Sequence, residues 1–121
     1  MGILPYQLKF AKDTFSVKAG QKVKFTLDNN CTLMQMHNWV LCKQGTKDKV
    51  IAESNKFMTD PNAMAKGYIP PSGDILHHTK LVQPKQKDTI EFTAPKEKGD
   101  YPYICTFPGH ALLMFGTMKV E

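Results

Sequence analysis

The sequence predicts an all-β protein, a two-sheet antiparallel Greek-key β-sandwich with a short helical flap inserted around residues 44–74. Apolar and polar residues alternate with period 2 along most of the chain, as in half-buried strands. Turn-forming Gly, Pro and Asn separate these stretches at the spacing typical of a sandwich. The 121 residues, 1–121, are expected to form one domain with a substantial buried core.

The expected strands follow in order, each defined by its core-facing row. These rows are Leu4-Tyr6-Leu8-Phe10, Phe15-Val17, Val23-Phe25-Leu27, His37-Trp39-Leu41, Ile90-Phe92 and Tyr101-Tyr103-Cys105, with a last strand over residues 116–120. Turn sequences at residues 19–21 and 28–30 bound the third row. Trp39 is expected in the core.

The alternation fails over residues 44–74. Apolar residues at Val50-Ile51-Ala52 and at Phe57, Met58 and Met64 favour a short helix, interrupted at Asp60-Pro61. An insertion of about 30 residues in a compact sandwich should carry structure of its own.

The stretch Cys105-Thr-Phe-Pro-Gly-His110-Ala-Leu-Leu-Met114 places a thiol, an imidazole and a thioether in the pattern C-x4-H-x3-M. A second histidine, His37, lies far upstream. A lone histidine in a strand is more often a packing or surface residue than a ligand. Two imidazoles, a thiolate and a weak thioether together, however, form the ligand set of a blue-copper electron-transfer site. Zinc is the main rival, but thioether is a poor zinc ligand.

The segments HNWVL and CTFPGHALLMFGTMKV resemble the azurin-like proteins of the cupredoxin family. The segments at residues 78–81 and 87–92 strengthen the likeness, which covers most of residues 7–121. The resemblance implies a cupredoxin-like fold whose helical flap lies outside the sheets. It also implies one copper ion that cycles between Cu(I) and Cu(II), held by His37, Cys105, His110 and Met114. The backbone carbonyl of Met36 would be a weak axial group, although the family has glycine there and the Met36 side chain could re-aim it.

Other residues are expected to tune this site. In azurin-like proteins the asparagine at Asn38 ties the two ligand segments together near the thiolate; a strand-surface asparagine is the alternative. Phe107 and Pro108 should exclude water from the ligand loop, and proline offers the sulfur no N–H donor. The resemblance implies that the edge of His110 emerges within an apolar patch, where electrons enter and leave. Leu112 and Leu113 would form that patch, with Leu33 and Met34 as further candidates, although core packing is the alternative for both leucines.

The expected function is electron transfer without catalysis, through transient contacts with redox proteins such as cytochromes or copper enzymes. A monomer without a membrane span is expected. An electron-transfer domain of a larger copper enzyme is an alternative, but the His-x-His and Cys-His pairs that such enzymes use are missing from the chain. Copper delivery is a second alternative, since methionines at 34, 36, 58 and 64 could bind Cu(I).

The net charge of +5 is the balance of sixteen lysines against eleven acidic residues, and the chain contains no arginine. Because arginine supplies the forked contacts that read guanine and clamp phosphate, a solvated surface is favoured over a nucleic-acid site. The functional alternative is that the positive charge weakly steers the protein toward an acidic redox partner.

No signal-peptide pattern opens the chain, so we expect a periplasmic or otherwise extracytoplasmic protein whose export signal has been removed, with a cytosolic domain as the alternative. A Cys31–Cys42 disulfide would suit export, but extended geometry from His37 carries Cys42 away from the loop that holds Cys31.

His77 and His78 are adjacent, so they should point to opposite faces of any strand, and both are expected to be surface imidazoles.

Overall fold

The computed structural model describes residues 13–29, 36–107 and 114–121. Within them lie seven strands and one helix. They are β1 (Thr14–Val17), β2 (Lys22–Asp28), β3 (Val40–Cys42), α1 (Lys47–Phe57), β4 (Ile75–His78), β5 (Lys87–Thr93), β6 (Gly99–Ile104) and β7 (Phe115–Val120). One sheet has the order β1-β7-β6-β3-β4, and β2 and β5 form the other. The all-β two-sheet prediction with a helical flap is confirmed.

The pairing of β2 with β5 follows from period-2 alternation. Val23 lies opposite Phe92, and Phe25 opposite Ile90, so the apolar rows of both strands share one face. Phe25 and Phe92 are buried on that face, as predicted. On the other face Lys24 lies opposite Glu91, a cross-strand charge pair of the kind that stabilises a sheet.

One strand pair departs from the predicted antiparallel arrangement. β1 runs parallel to β7, with Phe15 opposite Met118, whereas the other described pairings are antiparallel. Parallel strands require a long crossover, and here almost the whole chain lies between the two. Alternation within a strand carries no information about the direction of its partner. The predicted row at residues 4–10 lies outside the described residues.

The core between the sheets is built around the indole of Trp39, which is fully buried as predicted. The ring of Phe25 stacks on it with a centroid distance of 3.8 Å, and the rings of Phe92 and Tyr103 lie at 6.0 and 5.6 Å. Aromatic rings at these separations add to the stabilisation from apolar burial. This aromatic cluster holds the two sheets together, so the residues at the ends of the strands have fixed positions.

Helix α1 covers the opposite face of the five-stranded sheet. Its Val50 packs with Val40 and Cys42 of β3 and Ile104 of β6 in a second, smaller cluster. Strand β3 is therefore buried on both faces, whereas alternation had predicted only the row His37-Trp39-Leu41 to face the interior. Asp48 in the first turn and Lys56 in the last complement the helix dipole.

No helix in the described part of the chain is long and apolar enough to cross a membrane.

Candidate metal centre

The backbone of His37, three residues before the start of β3, is held by hydrogen bonds in both directions. Its N–H donates to the carbonyl of Val82 at 3.0 Å, and the N–H of Val82 donates back to the carbonyl of His37 at 2.7 Å. The side-chain amide of Asn29 donates to the same Val82 carbonyl at 2.9 Å. His37 is completely buried. A predicted ligand therefore sits in the interior on an anchored backbone.

Cys105 follows β6 at the end of the sheet where β3 begins. The two strands are antiparallel and Val40 lies opposite Ile104, so the residues before Val40 and after Ile104 run side by side. The amide of Asn38 makes two hydrogen bonds with Thr106. Its Nδ2 donates to Thr106 Oγ1 at 2.8 Å, and the Thr106 N–H donates to its Oδ1 at 2.8 Å. The segments that carry His37 and Cys105 are thus joined directly beside both residues.

Met114 is held next to Cys105 by the backbone. The Cys105 N–H donates to the Met114 carbonyl at 3.0 Å, and both residues are fully buried. This bond brings together the two ends of the segment that carries the remaining candidates. His110, Pro108, Leu112 and Leu113 lie outside the described residues, as do Leu33 and Met34, so their roles stay predictions.

The surroundings of the Cys105 sulfur act on its ionisation in opposite directions. Complete burial raises the pKa of the thiol and hydrogen bonds from the backbone amides of Asn38 and Phe107 lower it, and burial dominates, so the pKa rises from 9.0 to about 12. Amide dipoles aimed at sulfur stabilise the thiolate, which is the form that binds metal. A bound cation would add the larger stabilisation and displace the proton.

The donor chemistry around Cys105 fits copper. A buried thiol with two aligned amides, a buried imidazole at His37 and a buried thioether at Met114 stand at one end of the sandwich. Soft sulfur together with imidazole suits copper in both oxidation states. Met36 is half-buried, and whether its carbonyl contacts the metal stays a prediction. Within the described ranges no group of three or more His, Cys, Asp or Glu side chains could hold a metal, and the predicted set has only two such residues there.

The flap also reaches this region. The Asn38 Nδ2 donates to the carbonyl of Gly67 at 2.9 Å, and the Ser54 hydroxyl of α1 donates to the Thr106 carbonyl at 3.4 Å. Sequence reasoning missed Gly67, Ser54 and Thr106. Thr106 lies inside the recognised motif and could have been proposed. Nothing in the local sequence indicates that the flap would meet Asn38.

The adjacent histidines differ from each other. His77 is half-buried, and its ring stacks on Phe92 with a centroid distance of 4.6 Å, so the expected surface position is wrong for this residue. Burial and then the neighbouring His78 lower the pKa of His77. His78 is exposed, as expected. Neither imidazole is grouped with His37 and Cys105.

Cys42 is a free, buried thiol at the end of β3. The bridge to Cys31 that the sequence left open is therefore not formed. Cys31 itself lies outside the described residues.

Comparison with known proteins agrees with this chemistry. A family model described as copper binding proteins of the plastocyanin/azurin family matches residues 2–121. Auracyanin-A of Chloroflexus aurantiacus is 35% identical over 116 residues, which are 95% of this chain and 68% of that protein. Azurin of Pseudomonas aeruginosa is 34% identical over 88 residues, which are 70% of this chain and 56% of that protein.

The fold has close counterparts among solved structures. The structure of auracyanin A, described as a "blue" copper protein from a green thermophilic photosynthetic bacterium, has a TM-score of 0.88 to this chain at 34% identity. The superposition covers 99% of this chain and 94% of that one.

Proposed function

This chain belongs to the plastocyanin/azurin family of copper-binding proteins, and we propose that four of its side chains hold the one copper ion of an electron-transfer site. The proposed ligands are His37, Cys105, His110 and Met114, with the Met36 carbonyl as a further weak axial group. The observation that carries the assignment is the buried Cys105 sulfur, which receives two backbone amide hydrogen bonds. Membership of this family makes the protein a blue-copper electron carrier.

Each described ligand residue has a separate part in this proposal. Copper, when bound, supplies the one-electron couple. Cys105 provides the strong thiolate donor, and the amides of Asn38 and Phe107 draw electron density from its sulfur. His37 supplies an imidazole on a backbone that is hydrogen-bonded to Val82 in both directions. Met114 adds the weak axial thioether.

Rigidity supports the proposed role in electron transfer. The bonds between Asn38 and Thr106 and between Cys105 and Met114 join residues of the polypeptide, and so do not depend on the charge of the metal. A ligand set held in this way moves little when the metal changes its oxidation state. Small movement keeps the reorganisation that accompanies electron transfer small.

We place the protein outside the cytoplasm, where it would exchange electrons with other redox proteins. Family membership supports this location and a role without a catalytic substrate. Electrons would pass through the apolar patch of His110, Leu112 and Leu113. The net charge of +5 favours acidic partners over nucleic acid, because lysine is the only strongly basic residue type present. Transient contacts at a small patch are typical of redox encounters.

The assignment is tested by exchanging sulfur for oxygen at two buried cysteines. Cys105→Ser should abolish the intense visible band that appears when Cu(II) is added, because the band requires a sulfur–copper bond. Cys42→Ser is the matched control, since Cys42 is equally buried but lies beneath helix α1, and it should keep the band. The far-ultraviolet circular dichroism of both metal-free variants should match the parent. An intensely blue Cys105→Ser protein would falsify the ligand assignment.

A further inference from the structure

We propose that the flap turn formed by Gly67 and Tyr68 is a positioning element for the Cys105 thiolate. The inference rests on the proposed role of Cys105 as a copper ligand. It adds a third segment to the two that carry ligands, and it assigns a role to the inserted flap beyond covering the sheet.

The first observation is backbone conformation. Gly67 has φ +65° and Tyr68 has φ +58°, so two successive residues adopt the left-handed region. Glycine does so without cost, but for a bulky side chain this conformation is a genuine outlier. Such residues persist only where their surroundings determine the conformation, and they cluster at functional sites.

The second observation is what this conformation achieves. It presents the Gly67 carbonyl to the Asn38 Nδ2 at 2.9 Å, and the Tyr68 N–H donates back to the Ala63 carbonyl at 2.9 Å. The ring of Tyr68 meets the ring of Phe107 edge to face, with a centroid distance of 5.4 Å and an interplanar angle of 79°. The carbonyl and the ring of one turn therefore contact two different segments.

Within the described part of the chain, the backbone amides of Asn38 and Phe107 donate to the Cys105 sulfur. The turn thus contacts both sources of the amide–sulfur bonds, one through a side-chain amide and the other through an aromatic ring. Both N–H groups of the Asn38 side-chain amide donate hydrogen bonds, one to Gly67 and one to Thr106, and its oxygen accepts from the Thr106 N–H. Such a satisfied buried network has one favoured orientation. Displacement of the turn should loosen both amides and open the sulfur to solvent.

The test compares three variants. Tyr68→Asn removes the ring but keeps a residue that tolerates positive φ. Tyr68→Phe keeps the ring and removes only the hydroxyl. Lys85→Asn is the matched control, because Lys85 is the other described non-glycine residue with positive φ, at +64°, and its side chain is exposed.

The primary measurement is the alkylation rate of Cys105 in metal-free protein, well below the unfolding midpoint of each variant. Peptide mass spectrometry distinguishes this thiol from Cys42 and Cys31. Tyr68→Asn should raise the rate about tenfold, the factor that about 1.4 kcal/mol of lost packing produces. Tyr68→Phe and Lys85→Asn should stay within about twofold of the parent, since less than about 0.5 kcal/mol is lost. In copper-loaded protein only Tyr68→Asn should shift the visible band and the reduction potential.

Parental alkylation of Cys105 in Tyr68→Asn, or an equal increase in Lys85→Asn, would overturn the positioning role. These outcomes are separate from failure of the proposed function. A blue Cys105→Ser protein would remove the ligand assignment, whereas the alkylation rates report only how the turn protects the thiol.

Discussion

Cys42 and Cys105 are two buried thiols, one at the end of β3 and the other directly after the neighbouring strand β6, yet only Cys105 is a proposed metal ligand. Burial raises the pKa of each from 9.0 to about 12. These values already include the carboxylates of Asp74 and Glu53, which add to the rise at Cys42, and the backbone amides of Asn38 and Phe107, which oppose it at Cys105. Burial therefore keeps both thiols protonated in the metal-free protein, but their neighbours differ: backbone amides favour a thiolate at Cys105, whereas carboxylates disfavour one at Cys42.

The two regions also differ in how they are packed. Cys42 lies with Val40, Val50 and Ile104 in the apolar cluster under α1. Cys105 lies beside the hydrogen-bonded pair of Asn38 and Thr106. Apolar packing resists unfolding without demanding one orientation, while a satisfied polar network fixes orientation. The first region should therefore control stability alone, and the second should control stability and redox properties together.

The largest expected effect separates these two roles. Asn38→Ala should lower the free energy of unfolding of the metal-free protein by about 2–4 kcal/mol, because the buried polar groups of Thr106 and the half-buried carbonyl of Gly67 lose their partner. It should also lower the reduction potential, since poorly aligned amides leave the Cys105 sulfur a stronger donor that favours Cu(II). Urea unfolding and voltammetry measure the two quantities.

Val50→Ala is the control on the other side of the sheet. It should cost about 2 kcal/mol through lost burial and a cavity, and leave the potential unchanged. If both variants shifted the potential equally, the division between a packing region and an orienting region would be wrong.

Alkaline pH tests whether the two thiols are equivalent in protonation. An unfolded thiol ionises near pH 9.0, whereas both folded thiols stay protonated to about pH 12. Between these values the unfolded state binds fewer protons, so metal-free stability should fall as pH rises, by up to about 1.4 kcal/mol per pH unit for each thiol. Cys42→Ala should reduce this loss between pH 8 and pH 10.5, and Cys105→Ala should do so equally. If Cys42→Ala kept the pH dependence of the parent, the burial argument would be contradicted. The tyrosines are the same in every variant, so their contribution cancels when a variant is compared with the parent.

Two buried methionines allow the same comparison for thioethers, and substitutions there should change stability least. Met114 and Met118 are both fully buried, but only Met114 is hydrogen-bonded to Cys105 through its backbone. Met114→Leu should keep copper and raise the reduction potential, because removal of a weak donor destabilises Cu(II) more than Cu(I). Met118→Leu should leave the potential unchanged. Each substitution nearly conserves volume and should change the free energy of unfolding by less than about 1.5 kcal/mol. Equal potentials in the two variants would show that Met114 is not an axial ligand.

Much of the fold and part of the site could be predicted from residue order. The alternation at Val23-Phe25-Leu27 gave the buried face of β2, and the apolar set around Val50 gave α1. The direction of β1 could not be predicted, because an alternating strand looks the same beside a parallel or an antiparallel partner. His77 was misplaced for a related reason: its burial depends on Phe92, which lies in the other sheet.

By itself the sequence determined which chemical groups are available: the Cys105, His110 and Met114 spacing, a distant His37, and the alternation that builds two sheets around Trp39. Ligand type and strand period are properties of neighbouring residues, so they can be read along the chain. The tertiary structure decided which amides face the Cys105 sulfur, that Cys42 lies among apolar groups instead, and that Gly67 and Tyr68 meet Asn38 and Phe107. These contacts join segments about 30 to 70 residues apart, and their geometry exists only after strand register and flap position are set by packing.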